Sequence, residues 1–518
     1  MPKQPSSQPS YKDLPQRQAV VLLASILIVA LCGIVYELII GTVSSYLLGN
    51  SVYQFSLTIG FFMFAMGVGS YVSRFINGNL IQAFVYVELI LALVGGLCSI
   101  SLFMLFPAAP WFYTVGMFSF ISTIGFLVGL EIPILTRVLS ERSTTRESIA
   151  DVLSLDYIGA LIGSVAFPIL LLPSLGLITA SFAIGLINSS VALLNVFMLR
   201  DHLDAPKRLL GYVVATIVML FTLTLLASKI TAFAQDHLYF DRVVWREQSQ
   251  YQSLVVTNTW QKNDVRLFID GHLQFAQADE FRYHEALVHP VLSWGTPPET
   301  VLILGGGDGL AIREVLKHPS VTSIDIVDLD PAMTDLGRDF APIVRLNEGS
   351  MSSPLVNVLN QDAFLYVKET ANTYDRIIID FPDPHNEALS KLYSVEFYAM
   401  VSDIMSDDGI LVTQSSSPFF TPNTYWTVSR TLEEIFPQVV NYQTPIPSFG
   451  IWGFNMAMKS PGVGQGPLPD GLRSITPESF AASQVFSKDL EPNTQIPVNS
   501  IFDPEIYHLY AQDLRMKR

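Results

Sequence analysis

Two aspartates three residues apart, Asp380 and Asp383, stand in the stretch DFPDP (380–384), directly after the apolar run YDRIII. Asp and Pro favour tight turns for local backbone reasons, so a turn is the first reading. Held at the end of a strand, the same two carboxylates can also bind an ammonium group, orient it and take its proton. A third acid, Asp308, lies inside the glycine cluster LGGGDG (304–309), where Gly305 and Gly307 permit a tight turn and close approach of a ligand to a helix N-terminus. A fourth, Asp328, lies 20 residues after Asp308 at the end of the next apolar run, placed to accept hydrogen bonds from ribose hydroxyls.

Asp308 narrows the ligand class. A carboxylate in the glycine turn repels a pyrophosphate and fits poorly beside the amino-acid carboxylate of S-adenosylmethionine; it suits a nucleoside whose tail is cationic. Its alternative role is to cap the helix beginning near Leu310. Asp362 likewise reads either as a ligand to an adenine edge or as the cap of a helix starting at Ala363.

The elements that must position these residues are strands alternating with helical stretches: VLILGGGDGLAIREVLKH (301–318), SIDIVDLDP (323–331), YDRIIID (374–380) and DDGILVTQS (407–415). That order predicts a Rossmann-like, methyltransferase-type doubly wound parallel sheet with its ligand at the strands' C-terminal ends. Upstream, short alternating runs such as 253–256 and 265–269, the latter followed by Asp270-Gly271, predict a small β-strand subdomain. The boundaries expected are 236–290 for that subdomain, 291–460 for the nucleoside-binding catalytic α/β domain and 461–518 for a C-terminal extension.

Residues 1–235 are different in kind. Apolar segments near 18–42, 53–73, 80–106, 111–136, 152–172, 175–199 and 209–231 approach the ~20 residues that a helix needs to cross a bilayer, predicting an all-α multi-pass membrane domain of about seven helices. Basic residues at Lys3, Lys12 and Arg17 place the N-terminus in the cytoplasm by the positive-inside bias. Seven crossings then put the second half outside, whereas an even number keeps it in the cytoplasm; the cytoplasmic placement is the one adopted. Glu37, Glu88, Glu131 and Asp156 lie inside the apolar segments, where an ionisable group is costly and marks either a pathway or a paired structural site.

Charge separates the halves too. Residues 1–235 carry a net +1 and the remainder −17, giving −16 for the 518-residue chain. An acidic second half disfavours nucleic acid as a partner and suits cations, though ordinary solubilising charge gives the same balance. Cys32 and Cys98 both fall in apolar runs, leaving neither a disulfide framework nor a thiolate metal site.

Taken jointly, SQYQ (249–252), IDGHLQ (269–274), DEFRYHE (279–285), LGGGDG, VDLD (327–330), QDA (361–363) and DFPDP resemble the spermidine synthase family of aminopropyltransferases in order and spacing, over roughly 239–460. The helical half resembles the extension of membrane-embedded bacterial members. The resemblance implies transfer of the aminopropyl group of decarboxylated S-adenosylmethionine to putrescine or a related polyamine, without a metal, releasing methylthioadenosine. It further implies Asp380 as the base, Tyr283 as its helper on the attacking nitrogen, and Asp383 as a ligand of the acceptor chain. Asp308 and His284 would hold the aminopropyl side, Gln252 and Asp328 the ribose, Asp362 and Ala363 the adenine. His284 and His289 also read as ordinary helix histidines, and for His289 that reading stands. Pairing of subunits, as in soluble relatives, rests on the resemblance alone.

Two departures bear on the acceptor. Soluble members carry a polar pair between the two aspartates where this chain has Phe381-Pro382, and a tyrosine motif appears here as IPSFGIWGF (446–454) with Phe449 in place of the hydroxyl. The rival functions are an S-adenosylmethionine-dependent methyltransferase, which Asp308 and the aspartate pair oppose, and a polyamine transporter with a soluble sensor.

Overall fold

A computed structural model of the chain describes residues 11–516 apart from 12–13, 49–50, 143, 240, 261–263, 463 and 493–495. It forms two compact units, Met1–Val243 and Val244–Arg518.

Among the described residues of the first unit, six helices are long and apolar enough to cross a membrane: Gln16–Leu48, Val52–Ser73, Leu80–Ala108, Trp111–Ser140, Thr145–Met198 and Pro206–Leu225. The seven apolar segments fall in six helices because the segments 152–172 and 175–199 share one run of 54 residues. That run is more than twice the ~20 residues of a single crossing. It is also interrupted, by a π-helical stretch Phe167–Leu171 and by Gly176 at φ 69° and ψ 173°. Pro168 and Pro173 remove two amide donors there, so a regular α-helical ladder cannot run through. Small residues let other helices approach closely: a Cβ on Gly125 would lie 2.6 Å from the Phe62 carbonyl oxygen. Glu37, Glu88 and Glu131 are buried. Asn188 Nδ2 donates to the Glu88 carbonyl (3.0 Å), while neither Glu88 carboxylate oxygen has a hydrogen-bond partner among the described residues.

The second unit holds two sheets. Strands β1 (Arg242–Gln248), β2 (Ser253–Asn258), β3 (Val265–Ile269) and β4 (His272–Ala276) form a four-stranded sheet in that order. Strands β5 (Thr300–Gly305), β6 (Ser323–Asp328), β7 (Val356–Asn360), β8 (Tyr374–Asp380), β9 (Met405–Gln414), β10 (Gln438–Ile446) and β11 (Gly450–Met458) form the other, ordered β10-β11-β9-β8-β5-β6-β7. The five strands β9-β8-β5-β6-β7 are parallel, and β10 and β11 pair antiparallel at the other edge.

The near-continuous apolar runs of β5 and β8 are what a sheet covered on both faces requires. Alternate residues feed two cores: Val301, Ile303, Ile378 and Val412 pack with the helix Glu280–Leu292, and Leu302, Leu304, Ile377 and Ile379 with Phe397 and Tyr398. From β5 the chain winds out through β6 and β7, then crosses back to β8 and β9. The crevice for a ligand therefore opens between β5 and β8. Register places Gly305 opposite Asp380 across that switch point, which joins the glycine turn to the acid pair. The segment after 460 belongs to the same unit, with Phe480 in the first core and Ile506 in the second.

Candidate active site

The glycine turn uses left-handed backbone at Gly305 (φ 84°), Gly306 (φ 67°) and Gly309 (φ 80°). At Gly307 the need is space: a Cβ would meet Asp328 Oδ2 at 2.7 Å. The Gly307 amide donates to that oxygen (3.0 Å) and the Asp330 amide to Asp328 Oδ1 (3.0 Å). Burial still pushes the Asp328 carboxyl up to about 6, outweighing these two hydrogen bonds and helped by the charges of Asp330 and Asp308.

Asp308 Oδ1 accepts the Leu310 amide (2.8 Å). The N-cap position itself falls to Gly309, so Asp308 bonds the first amide of the helix from one residue further out, and it lines the cavity as well. Asp362 behaves similarly: Oδ1 accepts the Phe364 amide (2.8 Å) and caps the helix Ala363–Glu369, while Oδ2 pairs with Lys391 Nζ (3.1 Å). Ser249 Oγ accepts the Tyr251 and Gln252 amides (3.0 Å each) and donates to Asp330 Oδ2 (2.7 Å), which fixes the loop carrying Gln252.

At the end of β8 the Tyr283 hydroxyl donates to Asp380 Oδ1 at 2.5 Å. Burial and the nearby Asp308 charge push the Asp380 carboxyl up to about 6, against the opposing pull of His284 and Tyr283. His284 Nδ1 faces the Glu280 carbonyl (2.8 Å) and Oε2 (2.9 Å). Burial disfavours the charged ring, but the Glu280 hydrogen bond and charge, with Asp308 and Asp380 behind them, raise its pKa overall. Glu280 is in turn clamped by Arg313, Nη1 to Oε1 and Nη2 to Oε2 at 2.9 Å each.

Asp383 Oδ2 accepts the Tyr510 hydroxyl (3.0 Å), and burial pushes this carboxyl up to about 6. Phe381, between the two acids, is buried with its ring 6.0 Å from that of Phe397. Its carbonyl accepts Gln414 Nε2 (2.7 Å), and the Pro382 carbonyl accepts the Tyr393 hydroxyl (2.9 Å). The turn is thus pinned by its ring and by both intervening carbonyls.

One cavity of about 700 Å³ gathers every site residue expected from the sequence: Gln252, Tyr283, His284, Gly305, Gly307, Asp308, Asp328, Asp362, Ala363, Asp380, Asp383 and Phe449. His289 lies elsewhere, buried between Glu314 (Nε2 to Oε2, 2.8 Å) and His318 (2.9 Å). The cavity also includes Gln414, Trp452 and Tyr510, which sequence reasoning missed. Gln414 was within reach of it, as the last residue of a readable strand. Tyr510 had no local signal.

Sheet, glycine turn and acid-lined cavity together define a Rossmann-like, nucleoside-dependent transferase. The Spermine/spermidine synthase domain model matches residues 280–464. The polyamine aminopropyltransferase of Leptospira interrogans is 40% identical, the match covering 95% of this chain and 98% of its own. Polyamine aminopropyltransferase 1 of Streptomyces coelicolor is 41% identical over 95% of this chain and 94% of its own. A crystal structure of spermidine synthase in complex with the transition state analogue AdoDATO is 27% identical, covers 48% of this chain and 87% of its own, and superposes with a TM-score of 0.45. The chain belongs to the polyamine aminopropyltransferase family and is an aminopropyltransferase. The donor used by this family is decarboxylated S-adenosylmethionine, whose sulfonium leaves as a neutral thioether and so needs no metal. Because the relatives match 95% of the chain, the helical unit is common to them.

Proposed function

We propose that the chain transfers the aminopropyl group of decarboxylated S-adenosylmethionine to putrescine or a related diamine, giving spermidine and methylthioadenosine, from a catalytic unit carried on a multi-pass membrane domain. The observation carrying this reading is the Tyr283–Asp380 pair at 2.5 Å, set with Asp383 in the same cavity as the glycine turn. Asp328 and Gln252 hold the ribose and Asp362 with Ala363 the adenine. Asp308 and His284 flank the aminopropyl tail, whose ammonium is welcome beside Asp308.

Asp380 binds the attacking ammonium through the oxygen that Tyr283 does not occupy and accepts its proton. The freed nitrogen lone pair then attacks the methylene next to the sulfonium; the new C–N bond forms as the C–S bond breaks, and the electron pair stays on sulfur as the thioether. Asp383 holds the far end of the diamine. Burial strengthens each of these attractions by excluding water.

The test gives detergent-solubilised full-length protein the decarboxylated donor with putrescine, cadaverine or spermidine and follows methylthioadenosine. We expect release with at least one of the three. No release with any of them, or methyl transfer from intact S-adenosylmethionine instead, would overturn the assignment. The six apolar helices support a place in the inner membrane, and the cytosolic origin of the donor supports a cytoplasmic catalytic unit. A reporter fused after Arg518 checks the latter, with an external readout refuting it.

A further inference from the structure

We infer that Tyr510, from the helix Ile506–Met516, is a specificity-determining residue of the acceptor site, orienting Asp383 toward the far ammonium of a diamine. This rests on the aminopropyl-transfer reading above. The matched domain model ends at 464, short of the residue.

The two aspartates are held alike. Asp380 takes the hydroxyl of Tyr283 on Oδ1 and Asp383 that of Tyr510 on Oδ2, so each acid has one oxygen bound to a phenol; the other oxygen of Asp383 meets Gln414 Nε2 at a long 3.5 Å, and its remaining lone pair can take a cation. The second pairing is no loose surface contact, because Tyr510 is only 9% exposed and lines the cavity. Its phenol oxygen can also accept from an ammonium while donating to Asp383, giving that cation two ligands.

The helix is fixed on both sides of Tyr510. Ile506, Tyr510 and Asp513 follow at spacings of four and three, so they share one face. Ile506 is fully buried in the core, and Asp513 accepts Asn423 Nδ2 (2.6 Å), the Thr424 amide (3.2 Å) and Thr424 Oγ1 (3.3 Å) at the start of the helix Pro422–Glu433. Just upstream, buried Asn499 donates from Nδ2 to the Ser390 (2.9 Å) and Tyr393 (3.0 Å) carbonyls. Tyr393 is the residue that pins the Pro382 carbonyl. The last segment of the chain is therefore tied to the loop carrying the acid pair, and Tyr510 closes the cavity at its Asp383 end.

The experiment compares wild type and Tyr510→Phe, full length in detergent, at saturating donor. Putrescine is the acceptor; 1-aminobutane, which lacks a far ammonium, serves as substrate or as competitive inhibitor. We expect KM for putrescine to rise about tenfold, the effect of losing a hydrogen bond to a charged group. Turnover number, 1-aminobutane affinity and methylthioadenosine affinity should stay within about twofold. Equal losses for both amines, or a fall in turnover number alone, would reduce Tyr510 to a structural residue; an unchanged putrescine KM would make it a bystander. A variant-free check is amide exchange over 506–516 in the wild type, which should slow when putrescine is added with methylthioadenosine; no slowing overturns the proposal. Absence of wild-type turnover with every amine is a different result, which removes the transfer reading itself.

Discussion

Asp380→Asn separates base catalysis from mere cation binding. An amine like that of lysine has a pKa near ~10.4, so at pH 7.5 only about one molecule in a thousand is unprotonated, a deficit of about 4 kcal/mol. A carboxylate pushed up to about 6 is ionised at that pH and can take the proton at the site. Asparagine keeps the side-chain shape and can still accept the Tyr283 hydroxyl, now 2.5 Å from Oδ1, but carries no charge and takes no proton. We expect the turnover number to fall about 10³-fold at pH 7.5, within the usual span for loss of a general base. Methylthioadenosine affinity should change less than about twofold. The variant's rate should then climb by nearly a factor of ten per pH unit between about 7 and 9.5, as solution deprotonates the amine in place of the missing base, while the wild type stays flat. The assay is release of methylthioadenosine over that pH range at saturating donor and putrescine. A loss smaller than tenfold, or a variant profile as flat as the wild type's, would refute Asp380 as the base.

Two further outcomes follow from the cavity. The turnover number over KM of the wild type should fall as pH drops through about 6, steepening below it, because Asp380 and Asp383 are both pushed up to that value and bind cations only when ionised; a decline beginning only near pH 4 would contradict it. Gly307→Ala should raise the donor KM by about tenfold or more with little change in the putrescine KM, since its Cβ would lie 2.7 Å from Asp328 Oδ2 and 3.0 Å from Met333 Cγ and must displace the ribose-side acid; steady-state kinetics in both substrates decides it.

What was legible in the sequence was local. An apolar run, three glycines and an amphipathic stretch identify β5, its turn and the helix after it without reference to the rest of the chain. The strand ending in Asp380 is equally plain. Strand order and register were not, because pairing Gly305 with Asp380 joins residues far apart in sequence. In the helical unit the break between the segments 152–172 and 175–199 was legible too, since the run Thr145–Met198 leaves helical backbone at Gly176. In DEFRYHE the three acids hold structure. Asp279 accepts the Ser448 amide (2.7 Å) and hydroxyl (2.8 Å), and Glu280 clamps Arg313. Glu285 accepts the Arg473 and Ser474 amides (2.7 Å each). Only Tyr283 and His284 of that motif reach the cavity, a consequence of how the helix is rotated that no spacing rule supplies.

The Phe381-Pro382 pair then takes on a definite meaning. Where a polar pair between the aspartates could itself touch an amine, this phenylalanine is only 7% exposed, and the carbonyls of both residues are bonded to Gln414 and Tyr393. The pair fixes the spacing of Asp380 and Asp383 as a rigid turn and contributes no polar side chain to the acceptor. Discrimination among amines must therefore come from other side chains of the cavity, among them Tyr510 and Gln414, which bond Asp383, and Phe449 and Trp452, whose rings lie 5.1 Å apart. The two aromatic rings suit a chain of methylenes, and Asp383 with its polar partners suits a charged group at its end. An acceptor bearing a second charge midway along its chain would have to bury that charge against the rings, at a cost set by its lost hydration. We expect a lower KM for putrescine than for spermidine at saturating donor, and equal or reversed values would refute this reading of the rings.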